Sequence, residues 1–351
     1  MPAASRPDDE EAARMVSISD VARHAGVSPT TVSHTLSGKR KVSETVREKV
    51  RRAMAELDYV PTRAAQSLAL GKTSVLAVVV PDIAIEYFAE LAKGIESVAM
   101  ERGYNMLLAT TGFDSGRESR YLEMIASRAV DGIIYASGAV LGAKARAALN
   151  GRLPVILVDE EIEGIVDLPT IVSDNEAGGR IVAEHLLSLG HRSVLEIQGA
   201  PVHAPVTSVL RSTGFASAWE PAGGRVFTTS GDYSVESGPP AVDGFADAFA
   251  AGEITAVFAH NDLMALGAIE GLRAQGFGVP RDVSVVGFDD VSISRHSSPP
   301  LTTVRQDTHE LGTLAARTLL HALETGEQLV PGRIAIPVEL IVRASTGEVR
   351  R

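Results

Sequence analysis

The chain has no cysteine, one tryptophan and only 5% aromatic residues among its 351. Without cysteine there is no disulfide framework, no thiolate metal site and no cysteine nucleophile. Long apolar runs are missing too. The most apolar stretch, Val75–Val80, stops at Pro81, far short of the roughly 18 residues a membrane helix needs. Residues 1 to 15 carry Asp8, Asp9, Glu10 and Glu11 and lack the basic and then apolar layout of a secretory signal. A soluble, cytoplasmic protein with no membrane partner is expected, with residues 1–15 as a disordered tail. Positive charge is also short: 33 Lys and Arg stand against 44 Asp and Glu, a formal net charge of -11. Taken whole, that argues against a general binder of polyanions. What the chain does have is 45% hydrophobic content, enough for a packed core, and a length that gives a prior of about two folding units.

The charge is unevenly placed. Residues 1–15 hold two arginines against four acids, a net of -2. Residues 16–72 hold ten Lys or Arg against five Asp or Glu, a net of +5, and residues 73–351 hold 21 against 35, a net of -14. A small basic module followed by a large acidic one directs the search for nucleic-acid chemistry to the first.

Within that module, Ser19 is placed to cap a first helix with Asp20 at its positive end, and Val21, Ala22 and Ala25 supply an apolar side. Gly26 allows a sharp turn. Ser28 reads as a second N-cap, with Pro29 at the first helical position, where its fixed φ and missing N–H cost nothing. Val32 and Leu36 fall four apart and face inward, leaving Pro29, Thr30, Ser33 and His34 outside, as on a helix presented to the major groove. A third helix, capped by Ser43, places Val46, Val50, Ala53, Met54 and Leu57 at helical period and carries Arg47, Lys49, Arg51 and Arg52 on its other face.

The stretch from Val16 to Tyr59, through Ser19-Asp20-Val21-Ala22, Ala25-Gly26-Val27-Ser28 and Thr31-Val32-Ser33, resembles the helix-turn-helix headpiece of the LacI/GalR family of bacterial transcription regulators. The resemblance implies that Pro29, Thr30 and His34 occupy base-reading positions, within a DNA-contacting set that includes Ser28, Thr31 and Ser33. Residues 61–73 resemble the family's hinge helix, whose wedge into the minor groove matches Leu68. The implied partner is double-stranded, palindromic operator DNA, read by a homodimer. Gly71-Lys72-Thr73 imitates the end of a phosphate-binding loop, but Gln66 stands where that motif needs its first glycine, and the segment precedes a strand.

From Ser74 onward, apolar runs alternate with amphipathic stretches, the pattern of parallel sheets covered on both faces. Strands are expected at Val75–Val80, 105–110, 132–135, 154–158, 193–197, 256–259 and 283–287, with helices at 88–102, 118–127, 177–189 and 263–275. Two such halves resemble the family's periplasmic-binding-protein-like domain, a doubly wound α/β fold in two lobes. Chain crossings are expected near Ser173-Asp174, Thr302–Val304 and Pro331–Arg333, which gives lobe 1 as about 74–173 and 304–331 and lobe 2 as about 174–302 and 333–346.

Open α/β sheets bind ligands beyond the C-terminal ends of their strands. The polar and aromatic residues at those ends are Tyr87, Phe88, Asp159, Asn261, Asp262 and Asp289; Arg211 and Tyr233 occupy the family's arginine and aromatic positions. Such a set suits a polyhydroxylated ligand. A sugar or sugar derivative is expected, with a nucleobase or nucleoside next, because Tyr87-Phe88-Ala89-Glu90 and Ser33-His34 look like the family's purine-responsive branch. Asp262 also reads as the cap of the helix that follows it, while Glu160, Glu161 and Glu163 read as a solvated loop. Pro239-Pro240 is expected to disturb the helix after Tyr233.

No Gly-x-Ser-x-Gly elbow, His-Glu-x-x-His pair or complete phosphate loop occurs, and the nine histidines show no metal-ligand spacing. The expectation is a ligand-controlled transcription regulator, most often a repressor, without enzymatic activity, metal or cofactor. A solute receptor for transport, or a sugar-metabolising enzyme on the same two-lobed fold, is the alternative; a receptor would need a secretory signal and no helix-turn-helix.

Overall fold

The computed structural model describes residues 16–37, 40–60, 72–126, 130–136, 143–151, 153–162, 165, 167–199 and 206–349. The expected tail, the hinge segment with Leu68 and the loop 200–205 lie outside the described residues. The chain divides into two compact units at Ser74/Val75.

The first unit contains α1 (Ile18–Ala25), α2 (Pro29–Ser37) and α3 (Glu44–Glu56). The cap of α1 is Ser17, two residues before the Ser19 expected. Asp20 N donates to Ser17 Oγ at 3.3 Å and Ser17 N donates to Asp20 Oδ2 at 3.0 Å. This reciprocal arrangement satisfies two orphan donors at once, which a cap at Ser19 with Asp20 beside it cannot do. Gly26 ends α1 at φ 65, a left-handed geometry that suits glycine. Ser43 occupies the cap position of α3 without a side-chain bond to the helix. Val21, Ala22, Val32, Val50 and Ala53 form the core, and His24 Nε2 meets Glu56 Oε2 at 2.6 Å to tie α1 to α3.

The second unit runs, in chain order, through β1 (Val75–Val80), α4 (Glu86–Glu101), β2 (Asn105–Thr110), α5 (Ser115–Ala126), β3 (Gly132–Tyr135), α6 (Ala143–Leu149), β4 (Val155–Val158) and β5 (Pro169–Ser173). It then continues through α7 (Asn175–Ser188), β6 (Ser193–Gly199), α8 (Val206–Trp219), β7 (Arg225–Gly231), α9 (Gly238–Asp243), α10 (Ala246–Ala250), β8 (Ala256–Ala259), α11 (Asp262–Ala274), β9 (Ser284–Asp289), α12 (Ser292–His296) and β10 (Thr302–Arg305). The return elements are α13 (Thr308–Thr325), β11 (Gly332–Ile336) and β12 (Glu339–Ile341).

The strands form two sheets, ordered β11-β5-β4-β3-β1-β2 and β12-β10-β9-β8-β6-β7. Neighbours are parallel except β12, which runs antiparallel to β10. β3, β4 and β8 are buried throughout, as continuous β-branched and apolar runs require when both faces are covered.

The first crossing lies at Ser173-Asp174, where β5 ends in one lobe and α7 begins in the other. The other two come later than the sequence suggests. β10 remains paired with β9 as far as Arg305↔Asp289, so the chain crosses at 306–307. β11 pairs with β5 from Gly332↔Pro169 to Ile336↔Ser173, which moves the third crossing to 337–338. One lobe is therefore built from 75–173 and 308–336, the other from 174–305 and 339–349. Pro239 and Pro240 do not abolish the helix after Tyr233. They sit in the first turn of α9, where a missing N–H is tolerated, and α9 is only six residues long.

In each lobe, glycines bring the backbones of a helix pair together. A β-carbon on Gly94 (α4) would lie 2.2 Å from the His309 carbonyl oxygen, and one on Gly312 (α13) 2.2 Å from that of Leu91. In the other lobe, Gly179 (α7) and Gly214 (α8) stand in the same relation to Arg211 O and Glu176 O, at 2.0 and 1.9 Å. This second contact fixes the height of α8, which carries Arg211.

Candidate DNA-reading helix and ligand cleft

Along α2, Val32 is fully buried, whereas Ser28, Pro29 and Thr30 are exposed and Thr31, Ser33 and His34 half-buried. Ser28 Oγ accepts from Thr31 N at 3.1 Å, and the two hydroxyls meet at 2.8 Å. These side chains therefore hold the start of the helix, and Pro29, Thr30, Ser33 and His34 make up the rest of its outer face. The positive end of the helix dipole lies here and favours an anion. Lys49, Arg51 and Arg52 on α3 are exposed, and Glu44 pairs with Arg47 at 3.0 Å. Leu68 lies outside the described residues.

In the second unit, the C-terminal ends of the two sheets line a cleft, the place where open α/β sheets bind ligands. Its walls include Tyr87, Phe88, Asp159, Arg211, Tyr233, Asn261 and Asp289, seven of the eight residues the sequence singled out there. Asp159, Tyr233 and Asp289 have φ of 73, 67 and 118. Non-glycine residues adopt such angles only where the surrounding structure enforces them, commonly at ligand sites.

Arg211 is rigidly held. Its Nε donates to Asn175 Oδ1 at 2.8 Å, its Nη1 donates to the His260 carbonyl, and its guanidinium lies over the Phe288 ring at 3.8 Å. Beneath it, buried His260 bonds Ser208 Oγ at 2.8 Å and Glu196 Oε1 at 2.8 Å. Burial lowers the imidazole pKa despite the Glu196 contact. On the opposite lobe the Tyr87 hydroxyl donates to Asp159 Oδ1 at 2.5 Å. Burial holds the Asp159 carboxyl above its ordinary range, against the pull of Tyr87 and Arg211. Burial likewise pushes Asp289 well up, with Arg211 opposing; Gln306 Nε2 donates to Asp289 Oδ1 at 2.6 Å. Asn261 caps α11 by accepting from Met264 N at 2.9 Å and donates to Tyr233 O at 3.0 Å.

Asp262 is the exception. It is fully buried and does not line the cleft. Its carboxylate accepts from Thr303 Oγ1, from Val291 N at 2.9 Å and from Ser294 Oγ at 2.6 Å. Burial raises its pKa to about 7 even so. It ties α12 and β10 together behind the site, and the helix cap assigned to it belongs to Asn261.

Glu160, Thr207 and Gln306 line the cleft without having been marked as ligand contacts. Glu160 is buried, so the solvated-loop reading fails for it, while Glu161 is half-exposed and pairs with Arg333 at 2.6 Å. Thr207, on the opposite lobe, donates its hydroxyl to Glu160 Oε1 and its N–H to Oε2 at 3.4 Å. Burial and the neighbouring Asp159 push Glu160 up to about 8. A second bridge between the lobes runs from Ser292 N and Oγ to Glu86, at 2.8 and 2.6 Å. Gln306 was within reach of sequence reasoning, because it follows a strand at a lobe crossing; nothing in the sequence flagged Thr207.

Among the described residues no group of three His, Asp or Glu could hold a metal ion, and no helix is long and apolar enough to cross a membrane. The family model "Bacterial regulatory proteins, lacI family" matches residues 17–62, and "Periplasmic binding protein-like domain" matches residues 183–346. The HTH-type transcriptional regulator DegA of Bacillus subtilis strain 168 is 35% identical, with 94% of this chain and 97% of that protein covered. Among solved structures, a lac repressor dimer bound to operator and the anti-inducer ONPF aligns with a TM-score of 0.79 at 30% identity, covering 95% of this chain and 100% of that one. A complex of the regulator CelR with cellobiose aligns at 0.71 and 32% identity, covering 94% and 99%. With these relatives matched over nearly its whole length, the chain belongs to the LacI family of bacterial regulatory proteins and is a DNA-binding transcriptional regulator with a periplasmic-binding-protein-like ligand domain.

Proposed function

We propose that the protein is a homodimeric repressor whose grip on a palindromic operator is set by a small polyhydroxylated ligand, a sugar or sugar derivative, in the cleft between its lobes. The observation that carries this reading is the cleft wall: a fixed guanidinium, carboxylates at strand ends on both lobes and the aromatic faces of Tyr87, Phe88 and Tyr233 converge on one cavity. Carboxylates accept from hydroxyl pairs, guanidinium donates in a fixed fork and aromatic faces cover C–H surface. The cellobiose held by CelR supports the same class of ligand.

On the DNA side, Pro29, Thr30, Ser33 and His34 read base edges, Ser28 and Thr31 shape and present the helix start, and Leu68 wedges a base step. Phosphate contacts come from the +5 segment. Each adds about -0.9 to the slope of log affinity against log salt. Ligand control follows if the two lobes close differently with and without ligand, so that ligand and DNA bias one equilibrium. The test is calorimetry of the wild type and Arg211→Ala against a panel of mono- and disaccharides. Binding by at least one sugar, weakened about tenfold or more by the substitution, is expected; equal affinity in both proteins would place the ligand elsewhere.

A further inference from the structure

The cleft is rich in carboxyl groups and poor in cationic and amide donors. Three carboxylates, Asp159, Glu160 and Asp289, line it, and Arg211 is the one Lys or Arg among its described lining residues. Arg211 has already committed Nε to Asn175 and Nη1 to His260, which leaves Nη2 without an acceptor among the described residues. Asn261 uses its amide on Met264 N and Tyr233 O, and Thr207 gives its hydroxyl to Glu160.

Acceptors are left over. Tyr87 occupies only Oδ1 of Asp159, and Gln306 occupies only Oδ1 of Asp289. Gln306 is 4% exposed and its Oε1 is buried without a partner. The bond from its Nε2 to Asp289 fixes the amide orientation, so the atom left unpaired is the acceptor.

A neutral polyol fills such acceptors but offers each time an acceptor of its own, and it gives the buried carboxyls no counter-cation against which to ionise. An ammonium group offers three donors and no acceptor and supplies the missing positive charge. We propose, on the basis of the polyol-site reading above, that the ligand carries an ammonium group beside its hydroxyls, as an amino sugar or aminated polyol does. Its nitrogen sits against Asp289 and Gln306 Oε1, facing Asp159. Burial holding all three carboxyls above their ordinary range accords with a site that lacks a counter-cation when empty. The same surroundings disfavour sugar phosphates and uronic acids.

The test is calorimetry on the full chain at neutral pH with matched triples: a neutral sugar, its amino counterpart and the N-acetylated amine, taken through glucose, galactose, mannose, ribose and cellobiose. In at least one triple the free amine should bind about tenfold or more tighter than both other members. Asp289→Asn, which keeps the shape and removes the charge, should cut that margin to about threefold or less. If neutral sugars bind as well as or better than their amines in every triple, the ammonium proposal is overturned and the polyol-site reading stands. If no member of any triple binds, both fall. The wild-type comparison needs no variant to fold.

Discussion

Gly179 lies where α7 meets α8, and a β-carbon added there would stand 2.0 Å from the carbonyl oxygen of Arg211. Ordinary contact begins at 3.4 Å, so Gly179→Ala forces the helices apart by more than an ångström. The facing Gly214 removes any slack, since the gap there is 1.9 Å to Glu176 O. Both contacts are against backbone, and no rotamer change relieves them. Overpacking typically costs 1–3 kcal/mol, and a backbone obstruction belongs at the upper end, about 3 kcal/mol. Helix propensity returns about 1 kcal/mol, which leaves a net loss of about 2 kcal/mol. Trp219, the single tryptophan, is fully buried, so its fluorescence follows urea unfolding of this lobe. The midpoint should fall by roughly 0.5–1 M, and sugar affinity should fall with it, because the displaced carbonyl belongs to Arg211. Gly347→Ala is the control: its β-carbon would meet Pro280 at an ordinary 3.5 Å, so its midpoint should match the wild type. Equal midpoints for the two variants would refute the argument.

Asp262→Ala strands donors on Thr303, Ser294 and Val291 and should destabilise the fold by roughly 2–4 kcal/mol, visible as a lower melting temperature. Asp159→Ala should instead weaken sugar binding more than stability, and the reverse ranking would return Asp262 to the ligand set. Glu160 ionises near 4.5 in the unfolded chain and near 8 in the fold. Its contribution to stability is therefore full below about 4.5 and is lost as pH rises toward 8, by at most about 5 kcal/mol. The ligand-free Glu160→Gln variant should gain melting temperature relative to wild type between pH 5 and 8, and parallel curves would contradict the assignment. His34→Ala should change the preferred base at one position of each operator half-site in a binding selection; an unchanged preference removes His34 from base reading.

Strands β1, β3 and β8 were legible to the residue because they are almost wholly buried apolar runs, and β2, only partly buried, because its apolar stretch lies between the polar Asn105 and Thr110. Helix α8 was not. Its packing against α7 rests on glycines and its buried face includes Arg211, Thr207 and Ser208, so no apolar stripe advertises it. Helix α13 and the last two strands also went unassigned, and the lobe crossings were misplaced for that reason: only the pairing partners of β10 and β11 tell which sheet owns them. The cleft itself was legible because strand ends converge there whatever the sequence between them. Asp262 and Asp289 look alike as aspartates after strands. What separates them is side-chain direction, one turned into a nest of three donors and the other into the cavity.

In the function proposed above, an acidic chain binds DNA through its basic headpiece under control of the cleft. The most direct measurement is fluorescence anisotropy of the full chain on a palindromic site selected from random DNA, with and without the sugar that binds most tightly, in wild type and Arg211→Ala. The ligand should change the wild-type operator Kd about tenfold or more and leave Arg211→Ala nearly unaffected. An equal shift in both proteins, or a wild-type Kd indifferent to a ligand that calorimetry shows to be bound, would contradict it.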